Sequence, residues 1–430
     1  MERWLDELEP KLITWRRHFH KYPEVGWTEY VTTAKIVEEL ERLGFTLYIG
    51  KDAVDSSSRS GVPNAEQLEE AELRAKEHNV PKALIEKMSG GHTGVVARLD
   101  TGRKGPHTAL RFDIDALPIF EATEDHFPKA EGFQSIHDGF MHACGHDGHT
   151  SIGLGVAHYL YSHQDELSGE FTLLFQPAEE GSRGAKAMVE KGWLSNVDHF
   201  LSGHIGISDE EVGLVAATTE GFLATTKFDI TFKGKASHAG AKPEEGKNAL
   251  LSAANFSQHA YAIPRHSAGD TRVNIGTLEA GSGRNVTADH AFLRGESRGE
   301  TKELDRYMFA HIKQIAQASA DLYGTTVEIE EVGQGTTAEC DHVWIERLEE
   351  VAQKYDTINK VLPKLAIGAS EDVTHMMRSV KEDGGEVTYM IFGTPLKEGH
   401  HHPQFDYEEN VLRVGVLAVT GLLENLHCKD

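Results

Sequence analysis

With 430 residues, 39% of them hydrophobic, the chain is longer than one domain usually holds and carries material for real cores. A net charge of −25 argues against a nucleic-acid or acidic-membrane partner. Three cysteines, Cys144, Cys340 and Cys428, make no disulfide framework, and no apolar run reaches signal-peptide or membrane-span length, so a cytoplasmic protein is expected.

Trp4 to His20 reads as a helix with Leu5, Leu8, Leu12 and Trp15 on one side. Pro23 to Gly26 breaks it, and a second helix from about Thr28 to Leu43 stops at Gly44. After a short strand, Phe45 to Ile49, residues 50–91 change texture. They are polar around Asp55 to Ser58 and carry one charged helix, Ala65 to His78, which fits a surface insertion. Val95 to Leu99 and Ala109 to Phe112 are predicted strands, Thr150 to Ser162 a helix, Phe171 to Phe175 a strand, Gly184 to Lys191 a helix and Phe200 to Gly203 a strand. This alternation predicts an α/β layer with a mixed, largely parallel sheet flanked by helices.

From about Val215 the pattern changes. Strand Phe228 to Lys233, helix Gly246 to Tyr261, strands Thr271 to Glu279 and Ala288 to Gly295, helix Lys302 to Tyr323 and strand Thr326 to Val332 run β-α-β-β-α-β, a ferredoxin-like α+β unit. Helix Trp344 to Lys354, a helix opening at Gly368 to Asp372, strand Val387 to Phe392 and helix Glu408 to His427 close the chain. The expected domains are 1–213, with the insertion at about 50–91; an inserted lid or dimerisation domain, 214–333; and a return to the first domain, 334–430.

The densest chemistry is Met141 to His149. His142, Cys144, His146 and His149 lie within eight residues, with Asp147 between them and Gly145 and Gly148 free to bend the chain. Thiolate, imidazole and carboxylate together suit zinc, manganese or a related divalent ion. Asp113 and Asp115, the pair Glu179 and Glu180, and His204 all fall at predicted C-terminal strand ends, where α/β sheets collect their chemistry. A cation removes the repulsion of one glutamate of the pair, leaving the other to take a proton from water. Taken singly, each has a blander reading: Cys144 as a small buried hydrophobe, the glutamates as a solvated surface pair, His204 as a hydrogen-bonded structural histidine. Of His400, His401 and His402, adjacent as they are, at most two can face one ion. His238, Asn285 and Arg298 in the second unit read from spacing alone as surface loop residues.

Together the motifs Arg16 to His20 with Pro23 to Gly26, Asp113 to Pro118, His142 to His149, Gln176 to Gly181, Ser370 to Asp372 and His401 to Asp406 resemble the M20 family of metallopeptidases and amidohydrolases, over nearly the whole chain. The Cys-Gly-His-Asp-Gly-His form is similar to the subgroup with a cysteine ligand, which includes bacterial aminoacylase-like enzymes and plant auxin-conjugate hydrolases. The resemblance implies a zinc-peptidase-like main domain and two divalent ions per subunit, Mn or Zn, held by Cys144, His146, Glu180, His204 and His401. It implies Glu179 as general base, His238 as an oxyanion donor reaching a partner subunit's site, and Asn285 and Arg298 as binders of the substrate carboxylate. Asp113 stands where many M20 peptidases carry a histidine, so Asp113 and Asp115 are expected beside the ligands rather than among them. The expected reaction is amide hydrolysis of a small N-acyl amino acid: p-aminobenzoyl-glutamate, or another N-acyl acidic amino acid such as indoleacetyl-aspartate. The expected assembly is a homodimer or a hetero-oligomer with a related subunit, with no nucleic acid and no membrane.

Overall fold

Near-continuous apolar runs such as Phe171 to Phe175 suit strands covered on both faces. In the computed structural model, which describes residues 1–428, they lie side by side at the centre of a sheet. The chain divides into two compact units: Met1–Glu220 with Ala338–Ile367 and the stretch from His375 on, and Gly221–Thr337 with Gly368–Thr374.

The first unit holds an eight-stranded sheet. Its order is Thr46–Ile49, Val95–Asp100, Glu170–Gln176, His107–Asp113, His199–Asp209, Glu386–Thr394, Leu214–Ala216 and Lys360–Leu362. The four middle strands run parallel, with Asp113 paired to Gln176 and Ile391 to His204. Their C-terminal ends therefore share one edge, and the candidate residues gather there. Helices Glu2–Lys21, His146–His163 and Val411–His427 bury Leu5, Leu12, Leu154, Val416 and Leu422 in the main core. Among the described residues no helix is long and apolar enough to cross a membrane.

Two elements differ from the sequence expectation where it matters for chemistry. The helix expected from Thr150 starts at His146, because Gly145 takes a left-handed φ of 90° that turns the chain straight into it. The strand expected to end at Gly203 runs from His199 to Asp209, so His204 sits within it. Helix Lys82–Lys87 and the strands Leu214–Ala216 and Lys360–Leu362 are too short to show a period in the sequence.

The start of helix His146–His163 is fixed by a buried ionic knot. The carboxylate of Asp147 accepts from Arg16 Nε at 3.2 Å, Tyr407 Oη at 3.0 Å, the Gly148 N–H at 2.9 Å and His20 Nδ1 at 2.9 Å. Burial opposes charge on His20, but Asp147 and Glu121 outweigh it and raise its pKa to about 9. Gly148 is required by close packing: a Cβ there would lie 2.4 Å from Tyr407 Oη and 2.5 Å from Ile205 Cδ1.

The insertion folds as helices Ala65–Glu77 and Lys82–Lys87, the first opened by a reciprocal cap between Asn64 and Gln67. It is tied back at several points. Trp27 Nε1 donates to the Ser60 carbonyl at 2.8 Å, Trp193 Nε1 donates to the Ala53 carbonyl at 2.8 Å, and Arg183 Nη1 donates to the Gly61 carbonyl at 3.1 Å.

The second unit is a four-stranded antiparallel sheet in the order Thr326–Gly335, Ala224–Lys233, His290–Gly299, Thr271–Ala280. Helices Ala249–Tyr261 and Lys302–Tyr323 cover one face over a separate core of Phe228, Ile230, Phe232, Phe256, Leu293 and Ile312. This is the expected ferredoxin-like arrangement. The longer helix is capped by Thr301 and ends at Gly324, which has a φ of 66°.

Candidate active site

At the shared strand edge, three loops and one strand bring Cys144, His146, Glu180, His204 and His401 together. Cys144 Sγ lies 3.5 Å from His204 Nε2. Ligand atoms of Cys144, His146 and Glu180 lie within 4.8 Å of one another, as do those of Cys144, His204 and His400. Glu180 Oε1 is 3.3 Å from His401 Nε2, and the His401 N–H donates to the Ala143 carbonyl at 2.7 Å, which ties the C-terminal loop to the cysteine turn.

The ring nitrogens carry the chemical information. His146 Nδ1 donates to the Asp115 carbonyl at 2.9 Å and His204 Nδ1 to the Ile205 carbonyl at 2.8 Å. A carbonyl can only accept, so both rings keep the proton on Nδ1 and present the Nε2 lone pair inward. His146 Nε2 is buried without a hydrogen-bond partner. Unpaired buried polar atoms are costly, and a cation satisfies them at once. For a tetrahedral ion, bonds of about 2.3 Å to sulfur and 2.1 Å to nitrogen put the two ligand atoms about 3.6 Å apart, close to the Cys144–His204 separation of 3.5 Å. The residues therefore fit divalent metal.

The local field agrees. His146 is fully buried, which disfavours its charge, yet Asp113, Asp115 and Glu180 pull its pKa up to about 10. Burial raises the Glu180 carboxyl, but His401, His146 and Cys144 together bring it down to about 2. The pocket calls for positive charge, which a proton or a metal ion can supply.

Asp113 and Asp115 are placed beside the ligands. Asp113 accepts from His149 Nδ1 at 2.6 Å and pairs with Arg111 at 2.6 Å. Asp115 Oδ1 and Oδ2 each accept at 3.0 Å, from the backbone N–H groups of Glu179 and Glu180. The preceding N–H, of Ala178, donates to Glu29 Oε1 at 2.8 Å, and Ala178 itself is held at a φ of 53°. Two buried carboxylates thus fix three successive N–H groups and aim the Glu179–Glu180 turn. Glu179 is itself buried, with 5% of its surface exposed. Arg183 Nε donates to the Glu180 carbonyl at 2.7 Å while its Nη1 holds Gly61, so the insertion also braces this turn.

His149 lies beside the cluster, with a ring nitrogen within 4.8 Å of those of His146 and His204. His149 has both ring nitrogens engaged: Nδ1 with Asp113, and Nε2 accepting the Ile205 N–H at 2.8 Å. His142 is buried with neither ring nitrogen partnered, and burial pushes its pKa down to about 3. In the C-terminal run, His402 accepts the Gln404 N–H and lies 3.9 Å from Glu398, whereas His400 is half-buried, with its ring 5.0 Å, centroid to centroid, from that of His204. Nothing in the order of residues singles out His400; within the run the backbone turns at His401, which has a φ of 66°. Glu29 is hidden for a similar reason, since in sequence it looks like one more charge at a helix start.

In the second unit, His238 is exposed and its Nδ1 accepts the N–H groups of Gly240 at 3.2 Å and Ala241 at 3.1 Å, which leaves Nε2 as an N–H donor. A bridge between His238 and Val286, with the Ala239 N–H donating to the Asn285 carbonyl at 3.1 Å, sets His238 and Asn285 side by side. Arg298, expected beyond its strand, lies within His290–Gly299, with Nε 2.9 Å and Nη2 3.2 Å from the two oxygens of Glu296. It pairs with Thr225, whereas His290, nearer Asn285, pairs with Lys233. Eight residues of strand, at about 3.3 Å each, separate the two ends by roughly 26 Å.

The chain matches known proteins over most of its length. A model described as Peptidase family M20/M25/M40 matches residues 109–425. The chain is 45% identical over 426 residues to indole-3-acetyl-aspartic acid hydrolase of Enterobacter agglomerans, and 44% identical over 426 residues to one of the subunits of p-aminobenzoyl-glutamate hydrolase of Escherichia coli K12, covering 98% of both chains in each case. Among solved structures it is similar to an aminobenzoyl-glutamate utilization protein from Klebsiella pneumoniae, with a TM-score of 0.85 and 39% identity, covering 99% of this chain and 98% of that one. It is also similar to a dinuclear metal-binding peptidase of the M20 family from Bacillus subtilis, with a TM-score of 0.64 and 26% identity, covering 98% and 99%.

Proposed function

The chain belongs to peptidase family M20/M25/M40 and is a metal-dependent amidohydrolase, and from that premise we propose that it cleaves p-aminobenzoyl-glutamate to p-aminobenzoate and glutamate. The observation that carries the site reading is the pair of inward Nε2 lone pairs, on His146 and His204, flanking one thiol. Cys144, His146, Glu180, His204 and His401 would hold two divalent ions, Mn or Zn. Bound there, the ions supply a polarised substrate carbonyl and a more acidic water. Glu179 takes the proton from the attacking water and passes it to the departing amide nitrogen, which leaves as a neutral amine. His238, holding its proton on Nε2, donates to the tetrahedral oxyanion. Asn285 and Arg298 bind the carboxylates of the amino-acid half.

His238 with Asn285, and Arg298, stand at opposite ends of one sheet, too far apart to meet a single small substrate from one chain. The reading therefore includes a second protomer, which contributes the His238 end. That protomer is another copy of this chain or a related chain, as the name of the Escherichia coli relative suggests for that protein. Low cysteine content and a net acidic charge support a cytoplasmic protein without nucleic-acid or membrane partners. Hydrolysis of indoleacetyl-aspartate is the second reading, favoured by the 45% identical relative.

A hydrolysis panel tests both. We expect the purified chain, stripped with a chelator and reloaded with Mn²⁺ or Zn²⁺, to release glutamate from p-aminobenzoyl-glutamate at least tenfold faster, in kcat/KM, than it releases aspartate from indoleacetyl-aspartate. The reverse ranking would replace the substrate. No turnover of any N-acyl-glutamate or N-acyl-aspartate, by the chain alone or with a related subunit, would remove the reading.

A further inference from the structure

We propose that His20, Glu121 and His126 form a further divalent-cation site, of the two-imidazole, one-carboxylate kind, apart from the set around Cys144. The three side chains each offer a ligand atom, and these atoms lie within 4.8 Å of one another. His20 Nε2 and His126 Nε2 both face Glu121 Oε1, at 2.9 and 2.8 Å. Ligand atoms at right angles around an ion with bonds of about 2.1 Å lie about 3.0 Å apart, which matches both imidazole-to-carboxylate separations. Two imidazoles and one carboxylate on one face, with the remaining positions open, is a familiar set for six-coordinate divalent transition metals.

The outer partners of a metal site are already in place. His20 Nδ1 is held by Asp147 at 2.9 Å, and a cation at Nε2 would displace to solvent the proton that this nitrogen shares with Glu121. The other oxygen of Glu121 accepts the Ser135 N–H at 2.6 Å, which leaves Oε1 as the ligating atom. His20, Glu121 and His126 are all buried at their side chains, at 1%, 3% and 2% exposure. Yet His126 also lines an open groove of about 910 Å³, together with the carboxylates Asp125, Asp406, Glu408 and Glu409 and the ammonium groups of Lys129 and Lys397. The groove leaves room for a hydrated cation to reach His126, while its carboxylates Asp125, Asp406 and Glu409 are already paired with Lys397, Arg16 and Arg17. Filling the site would clasp helix Glu2–Lys21 to the loop that carries Glu121 and His126.

Metal counting with anomalous diffraction tests the site, with MnCl₂ as the probe and free ion removed by gel filtration. Wild type is expected to hold three Mn²⁺ per chain and to show a manganese peak between His20 Nε2 and His126 Nε2. Glu121→Gln and His126→Ala, each checked for folding by near-UV circular dichroism, are expected to hold two, with the peaks at Cys144 retained. Cys144→Ala is expected to keep the peak at His20 and His126. Wild type with two ions, both at Cys144, and no density at His20 and His126 would overturn the proposal and leave these side chains as a proton-held ion-pair cluster. So would three ions in folded His126→Ala. A peak at His20 and His126 with none at Cys144 would uphold this site and defeat the two-ion reading above, so the two failures are distinguishable.

Discussion

Glu179→Gln is expected to keep both metal ions at the Cys144 centre and to lose about 10²–10⁴-fold in kcat, with KM little changed. The substitution preserves size and hydrogen-bonding reach but removes the one carboxylate on the turn that the reading leaves to carry a proton. Its backbone N–H would still be held by Asp115, and Glu180 would still face His146 and His401, so the ligand set should survive. The loss should therefore fall on the chemical step and not on binding. Stopped-flow or steady-state kinetics beside metal analysis reads it directly. Turnover within tenfold of wild type, with metal present, would show that another group handles the proton.

Cys144→Ala is expected to empty the centre. The thiol is the one group shared by both clusters of ligand atoms, with His146 and Glu180 on one side and His204 and His400 on the other. Losing an outer partner of a metal ligand costs roughly 10–100-fold in affinity; losing a ligand common to two ions should cost more, and should cost it for both. After chelation and reloading, two ions fewer per chain are expected, with no measurable amide hydrolysis. Cys144→Ala should remain folded, since Cys144 is only partly buried and the change takes a single sulfur from a turn outside the core. Retention of both ions at this centre would move the metal elsewhere in the pocket.

Much of the site is readable from the order of residues, and the reasons are local. Cys144 and His146 announce themselves because a loop can concentrate ligands within eight residues, and the strand-end positions of Asp113 and Glu179 follow from apolar runs that stop abruptly. The ferredoxin-like unit is legible from its element order alone. What stays hidden depends on contacts between distant parts of the chain. His149 looks as much a ligand as His146, and only Asp113 and the Ile205 N–H, 36 and 56 residues away, take up both its nitrogens. The bracing of the Glu179–Glu180 turn by Glu29 spans 149 residues. Arg298 and Asn285 sit 13 positions apart in sequence, and strand register, not spacing, carries them to opposite ends of a sheet. The link between residues 50–91 and the Glu180 turn, through Arg183 and Gly61, likewise emerges only in the fold.

Crystals of the wild-type chain soaked with Mn²⁺ or Zn²⁺ and measured at the metal's absorption edge give the most direct test. Two anomalous peaks about 3.5–4 Å apart are expected, both within bonding distance of the Cys144 sulfur, with His146, Glu180, His204 and His401 completing them. A single peak, or a pair that leaves Cys144 Sγ uncoordinated, would contradict the two-ion centre.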